Sequence, residues 1–214
     1  MALTRLRVAG TDDVETVATL HADSWRRFYR GAYADSFLDG DVVADRRAVW
    51  SARLAATPAQ PAGVAATPAE PAEPAGSRTL LAEDEAGPVG FVHVIFDADE
   101  RWGSLVDNLH VTHSRRRGGI GTTLLTRAAA AAAEYATNPS LYLWVLEQNT
   151  EAQRFYASLG GTPVETADVP APGGVPGRLN GSPRGLRVVW PDAALLAGQR
   201  GPGDGMRRSR YVEK

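Results

Sequence analysis

The stretch "LHVTHSRRRGGIGTTLL" (109–125) decides how this chain is read. It opens as an apolar-alternating strand, passes through three arginines and three glycines, and ends in an apolar, threonine-bearing run that should coil into a helix. The first N–H groups of a helix have no partner inside it, and the aligned peptide dipoles leave that end partly positive. An anion is the natural guest. Glycine at 118, 119 and 121 lets a phosphate approach the backbone and permits positive φ where N–H groups must converge; Arg115, Arg116 and Arg117 add charge around the hollow. Two other phosphate motifs are excluded. There is no Gly-Lys pair for a Walker-type loop, and Leu124 stands where the dinucleotide fingerprint needs its third glycine.

On either side of this stretch the pattern alternates between strand and helix. "SLVDNLHV" (104–111) leads into it, the helix is expected over 119–136 with six consecutive alanines at 128–133, and "LYLWV" (141–145) follows as a strand. A strand, helix and strand in that order predict a parallel pair with a crossover. Upstream, "TLLAE" (79–83) and "VGFVHVIF" (89–96) read as an antiparallel hairpin, so the sheet should be mixed. "TRLRV" (4–8) predicts a first strand. Thr11 is expected as N-cap of a helix that carries His21, Trp25, Phe28 and Tyr29 at helical spacing and stops at Gly31. A second amphipathic segment surrounds Val43, Trp50 and Leu54. Downstream, "NTEAQRFYASLGG" (149–161) predicts a short helix, with Thr150 and Gln153 at capping-box spacing and Gly160 as its stop. "TPVET" (162–166) and "LRVVW" (186–190) complete the strands.

With 214 residues the chain is long enough for one domain, expected over 1–195. Residues 55–78 break the pattern with the near copies "ATPAQPA" and "ATPAEPA", a low-complexity insertion. A flexible C-terminal tail is expected over 196–214. The formal charge of −2 gives no global attraction to phosphate polymers, and "RRSR" (207–210), beside Asp204 and Glu213, is a poor nucleic-acid footprint. The absence of cysteine excludes disulfides, thiolate metal sites and a cysteine nucleophile. No metal site is expected, because His93 lacks a second ligand at suitable spacing. Without an apolar leader or a run of roughly 18 apolar residues, the chain reads as soluble and cytoplasmic, with no membrane partner.

The sequence resembles the GNAT superfamily of acyl-CoA-dependent N-acetyltransferases. Leu109, Val111, Arg116, Gly119 and Gly121 fall at the places of that family's acyl-CoA signature, and Asn149, Ala152, Phe155, Tyr156 and Gly160 at those of its second motif. "HADSWRRFYRG" (21–31) is similar to the front of some members. One departure is Gly161, where the family usually has an aromatic. The resemblance implies a mixed, mostly antiparallel sheet, with a central parallel pair of splayed strands and flanking helices. It implies acetyl-CoA as co-substrate, transferred to a primary amine by direct attack in a ternary complex. The alternative is a catalytically silent acyl-CoA-binding sensor or interaction module.

For the site, the resemblance implies that Leu109 and Val111 pair with the pantetheine arm, and that Arg116, Arg117, Gly118, Gly119, Ile120, Gly121 and Thr122 bind the pyrophosphate, with Asn149 nearby. It makes the N–H of Val111 a candidate oxyanion donor. It makes Tyr156 the general acid for the departing thiolate, although spacing alone also reads Tyr156 as core. Asp107, Glu147 and His110 are the candidates for the base, and of these Asp107 and Glu147 are favoured as groups near strand ends. Trp25 and Tyr29 are expected in the acceptor pocket. The acceptor is a small-molecule or peptide amine, and the final strands are the expected face for a homodimer.

Overall fold

The computed structural model describes residues 4–55 and 76–199. Most of the Pro/Ala insertion and most of the tail, including "RRSR", lie outside the described residues. The elements run β1 (Arg5–Val8), α1 (Val14–Phe28), α2 (Asp35–Leu38), α3 (Val42–Ala55), β2 (Ser77–Asp84), β3 (Gly87–Asp99), β4 (Gly103–Val111), α4 (Ile120–Tyr135), β5 (Leu141–Leu146), α5 (Thr150–Ser158), β6 (Thr162–Asp168), β7 (Arg184–Trp190) and α6 (Ala193–Ala197). The ends of the expected insertion are ordered: Ala55 closes α3, and Ser77 opens β2. At the expected boundary near 195, α6 continues to Ala197, with Leu196 buried against the core. No helix among the described residues is long and apolar enough to cross a membrane.

The strands form one seven-stranded sheet in the order β1-β2-β3-β4-β5-β7-β6. Every neighbouring pair is antiparallel except β4 and β5, which are parallel and joined by α4. This is the mixed sheet that the pattern predicted. β3 lies near the middle and is buried from Val89 to Val94, as a strand covered on both faces must be.

α4 and α6 cover one face. The alanines of α4 are small enough to let the helix sit close on the sheet, where Leu124, Leu125, Ala128 and Ala129 are fully buried with Val92, Val94 and Leu141. The other face is covered by α1 and α3, with Val17, Trp50, Leu81 and Phe91 as a second cluster. Each fully buried large apolar side chain of this kind contributes roughly 1.5–3 kcal/mol by leaving water.

The local geometry corrects two expected caps. α1 does not begin at Thr11; a single 3-10 turn over Thr11–Asp13 precedes it, and Asp13 accepts from the N–H of Gly10 at 2.8 Å. Arg7 of β1 recruits that carboxylate with two hydrogen bonds of 2.7 Å, which pins the turn to the sheet. In α5 the capping residue is Asn149, whose side chain accepts from the N–H of Ala152 at 3.1 Å. Gln153 instead reaches back to the carbonyls of Leu146 and Glu147.

Candidate active site

β4 and β5 stay together only at Ser104↔Leu141 and Leu105↔Tyr142. Beyond that point β4 pairs with β3 alone, and β5 with β7 alone. A register shift opens the gap: His93 pairs with Asn108 and Val94 with Val106, so Asp107 is an extra residue that bends β4 away. The N–H of Thr112 donates to Val89 at 2.8 Å, and an antiparallel ladder alternates, so the backbone groups of Leu109 and Val111 face the gap instead of β3.

The gap is the floor of a cleft of about 450 Å³. That volume is in the range of small-ligand sites.

One end of the cleft is the turn into α4. Arg117 has φ 62° and Gly119 φ 83°, so the left-handed conformations fall on these two residues and not on Gly118 or Gly121. For Arg117 this costs roughly 1–2 kcal/mol, which the surrounding turn must offset. The first hydrogen bond at this end of α4 runs from the N–H of Thr123 to Gly119. Among the described residues, the N–H groups from Arg117 to Thr122 therefore have no main-chain acceptor. Arg116, Arg117, Gly119, Gly121 and Thr122 line the cleft. Ile120 does not, because its side chain is drawn into the core under α4. Gly118 turns the chain behind them, close to the carbonyl of Arg115.

The three arginines do not act together. Arg115 is diverted to Asp84 of β2 at 2.6 Å. Arg116 lies over the ring of Phe28, 4.9 Å from its centroid, and 3.2 Å from Glu151 of α5. Arg117 is 3.8 Å from the same carboxylate and almost fully exposed.

α5 supplies the opposite wall through Asn149, Glu151, Ala152, Phe155 and Tyr156. The Tyr156 ring is buried, edge-on to Trp190 with centroids 6.1 Å apart, and burial pushes its hydroxyl well above the usual phenol range. Asn149 reaches the cleft while its side-chain oxygen is engaged as the helix cap.

The other end is aromatic. Trp25 and Phe28 of α1, and Tyr29 just beyond its end, line this part with Phe91 of β3 and Trp144 of β5. Burial, with the nearby Asp107 carboxylate, pushes the Tyr29 hydroxyl up to about 12. Trp50 donates its indole N–H to Nδ1 of His21 at 3.0 Å, so a neutral His21 must carry its proton on Nε2. Burial holds that ring well below the usual histidine range.

The favoured base candidates separate. Asp107 lines the cleft, with its carboxylate 2.6 Å from Arg53 of α3 and 2.5 Å from the amide of Asn108. Glu147 lines a separate, shallower pocket with Gly31, Gln148 and Asn180. It directly follows β5, where its N–H donates to the carbonyl of Arg184 of β7 and its carbonyl accepts from Gln153, which turns the residue off the end of the strand. The base candidate that the spacing left least favoured, His110, lines the cleft. Residues that sequence reasoning missed include His21, Asp23, Phe28 and Glu151. All four had a local signal: His21, Asp23 and Phe28 lie within "HADSWRRFYRG", and Glu151 lies two residues into the second motif.

A sheet whose central parallel strands part over a cleft, with free helix-N-terminal donors at one end, defines the acetyltransferase fold class that the motifs suggested. The family model described as "Acetyltransferase (GNAT) domain" matches residues 75–160. An uncharacterized N-acetyltransferase of Bacillus subtilis, YuaI, is 25% identical over 147 residues, 67% of this chain and 72% of the relative. Two solved structures share the fold. A GCN5-related N-acetyltransferase from Rhodopseudomonas palustris superposes with TM-score 0.61 at 19% identity, over 88% of this chain and 96% of that one. The PaiA N-acetyltransferase from Thermoplasma acidophilum, solved in complex with coenzyme A, superposes with TM-score 0.58 at 16% identity, over 86% and 98%. The chain has the GNAT acetyltransferase fold, and residues 75–160 are similar to the GNAT acetyltransferase domain.

Proposed function

We propose that this chain transfers the acetyl group of acetyl-CoA to a primary amine by direct attack within a ternary complex. The observation that carries the reading is the continuity of the β4–β5 gap with the unpartnered N–H groups at the head of α4. The N–H groups of residues 117–122, with Arg116 and Arg117 beside them, suit the pyrophosphate of the coenzyme. The edge of β4 at Leu109 and Val111 suits the amide-bearing pantetheine arm. The PaiA structure, which holds coenzyme A, supports the same assignment by likeness of fold.

In this reading the amine nitrogen attacks the thioester carbonyl carbon, a C–N bond forms, and the carbonyl electron pair moves onto oxygen. The N–H of Val111 stabilises that oxyanion. On collapse the C–S bond breaks, and the thiolate takes a proton from Tyr156, whose raised pKa keeps it protonated. The attacking nitrogen sheds one proton, which leaves to solvent; the products are the N-acetylated amine and free coenzyme A, and solvent returns a proton to Tyr156. The aromatic rings of Trp25 and Tyr29 and the carboxylate of Asp107 favour a cationic amine with an apolar body. Asp107, already paired with Arg53, serves to attract the acceptor more readily than to take its proton.

Titration calorimetry with coenzyme A, followed by thiol release from acetyl-CoA against a panel of amines, tests the reading. Heat of association and amine-dependent thiol release are expected. No heat with coenzyme A would end the reading; binding without release against any amine would favour a silent acyl-CoA sensor.

A further inference from the structure

His110 stands on β4 between Leu109 and Val111, the residues whose backbone groups face the gap, and it is only 4% exposed. Its Nε2 is buried and has no hydrogen-bond partner among the described residues. Oδ2 of Asp23, on α1, lies 3.8 Å from that nitrogen. This is too long for a hydrogen bond but close enough to become an ion pair once the ring takes a proton. A buried polar atom without a partner costs free energy, and native structures carry few of them. Asp23 is partly exposed, and Nε of Arg27 holds both its oxygens, at 2.9 and 3.0 Å. Two groups in series thus lead from the cleft to solvent.

We propose that His110, backed by Asp23, takes the proton that the acceptor amine sheds as its C–N bond forms, and passes it to solvent. The proposal rests on the acetyl-transfer reading. The amine lone pair makes the new bond, and an N–H bond breaks with its electrons left on nitrogen. The proton moves to the imidazole and then, along the Asp23 carboxylate, to water. With Nε2–H turned to Asp23, the ring's lone pair is on Nδ1.

The charged and titratable groups around the ring are Asp23, Arg27 and His21 of α1, Arg116 of the turn, and Asp107 of its own strand. Asp23 favours the protonated ring, while Arg27, Arg116 and above all burial oppose it, holding the ring neutral with a pKa of about 4. A weak base is sufficient here, because an amine nitrogen bonded to the carbonyl carbon is strongly acidic.

The test uses the full chain with His110→Gln, His110→Ala, Asp23→Asn and Asp23→Glu. A general base contributes about 10²–10⁴-fold. Turnover should therefore fall about 100-fold or more in both His110 variants and about 10-fold in Asp23→Asn, with coenzyme A affinity unchanged. Added imidazole should restore part of the His110→Ala rate, and Asp23→Glu should keep most of the wild-type rate. By nuclear magnetic resonance, Asp23→Asn should lower the titration midpoint of the His110 ring, a readout independent of turnover. Turnover within twofold of wild type in the His110 variants, a loss that imidazole does not restore, or a His110 midpoint indifferent to Asp23→Asn would each overturn the proposal. A wild-type protein that neither binds coenzyme A nor releases thiol would instead remove the transferase reading on which it stands.

Discussion

The indole of Trp190 occupies the space beside Gly161: a Cβ at position 161 would come within 2.7 Å of Trp190 Cζ2 and 2.6 Å of Val188 Cγ1. Trp190 of β7 thus fills the space that a side chain at 161 would need. Trp190 is locked there by its N–H bond to the carbonyl of Leu159 at 2.9 Å, and its ring meets that of Tyr156 in a T-shaped contact. Trp190→Ala should cost roughly 3–5 kcal/mol in denaturant unfolding, as large aromatic truncations do, and should lower turnover by loosening Tyr156. Gly161→Phe should destabilise the wild type yet recover part of the loss in the Trp190→Ala background. An unaltered unfolding midpoint for Gly161→Phe alone would show that the two positions do not share this space.

Glu151 competes with the anion that the turn suits, since its carboxylate engages both Arg116 and Arg117. Glu151→Gln should tighten coenzyme A by about two- to fivefold at low salt, the scale of an exposed ion pair, and the gain should shrink as salt rises. Arg116→Ala should weaken it. Calorimetry at two ionic strengths measures both, and equal affinities for wild type and Glu151→Gln would contradict the competition.

Tyr156→Phe should reduce turnover about 100-fold while leaving coenzyme A affinity near wild type. The pH profile carries the sign. A general acid acts while protonated, and burial raises this phenol above its ordinary value of about 10. Wild-type turnover should therefore show no decline from this group up to about pH 10. A mutant with wild-type turnover across pH would remove Tyr156 from the chemistry.

Acid stability should depend on the buried imidazoles. His21, His93 and His110 are all held below the ordinary histidine value, chiefly by burial. In the unfolded chain they bind protons near pH 6.5, so the unfolded state takes up protons first as pH falls. Their contribution is fully present above about pH 6.5 and is lost progressively as pH falls through the depressed folded-state values, about 4 for His93 and His110. The unfolding midpoint should fall across that window, and His93→Gln should flatten the fall. An unfolding midpoint constant from pH 7 to 4.5 would contradict it.

Much of the frame was legible in the residues. Periodicity located the long helices and most of the strands, since a 3.6 or 2 repeat is a local property. The order of the two glycine- and asparagine-led motifs led to the cleft, and Arg116, Gly119, Gly121 and Tyr156 all line it. The extra residue at Asp107 was not legible, because a bulge is defined by the partner strand. Nor was the diversion of Arg115, whose partner Asp84 is 31 residues away in the chain. Glu147 sits where spacing expected it in sequence, but hydrogen bonds to β7 and α5 turn it onto another pocket.

Sequence alone determined that a strand should feed a donor-rich helix start, because both signals are written within a few neighbouring residues. The folded chain decided which side chains meet there: His110 with Asp23, His21 with Trp50, and Gly161 with Trp190. Those meetings join segments from different elements, and strand register and helix packing bring them together, which no local repeat encodes.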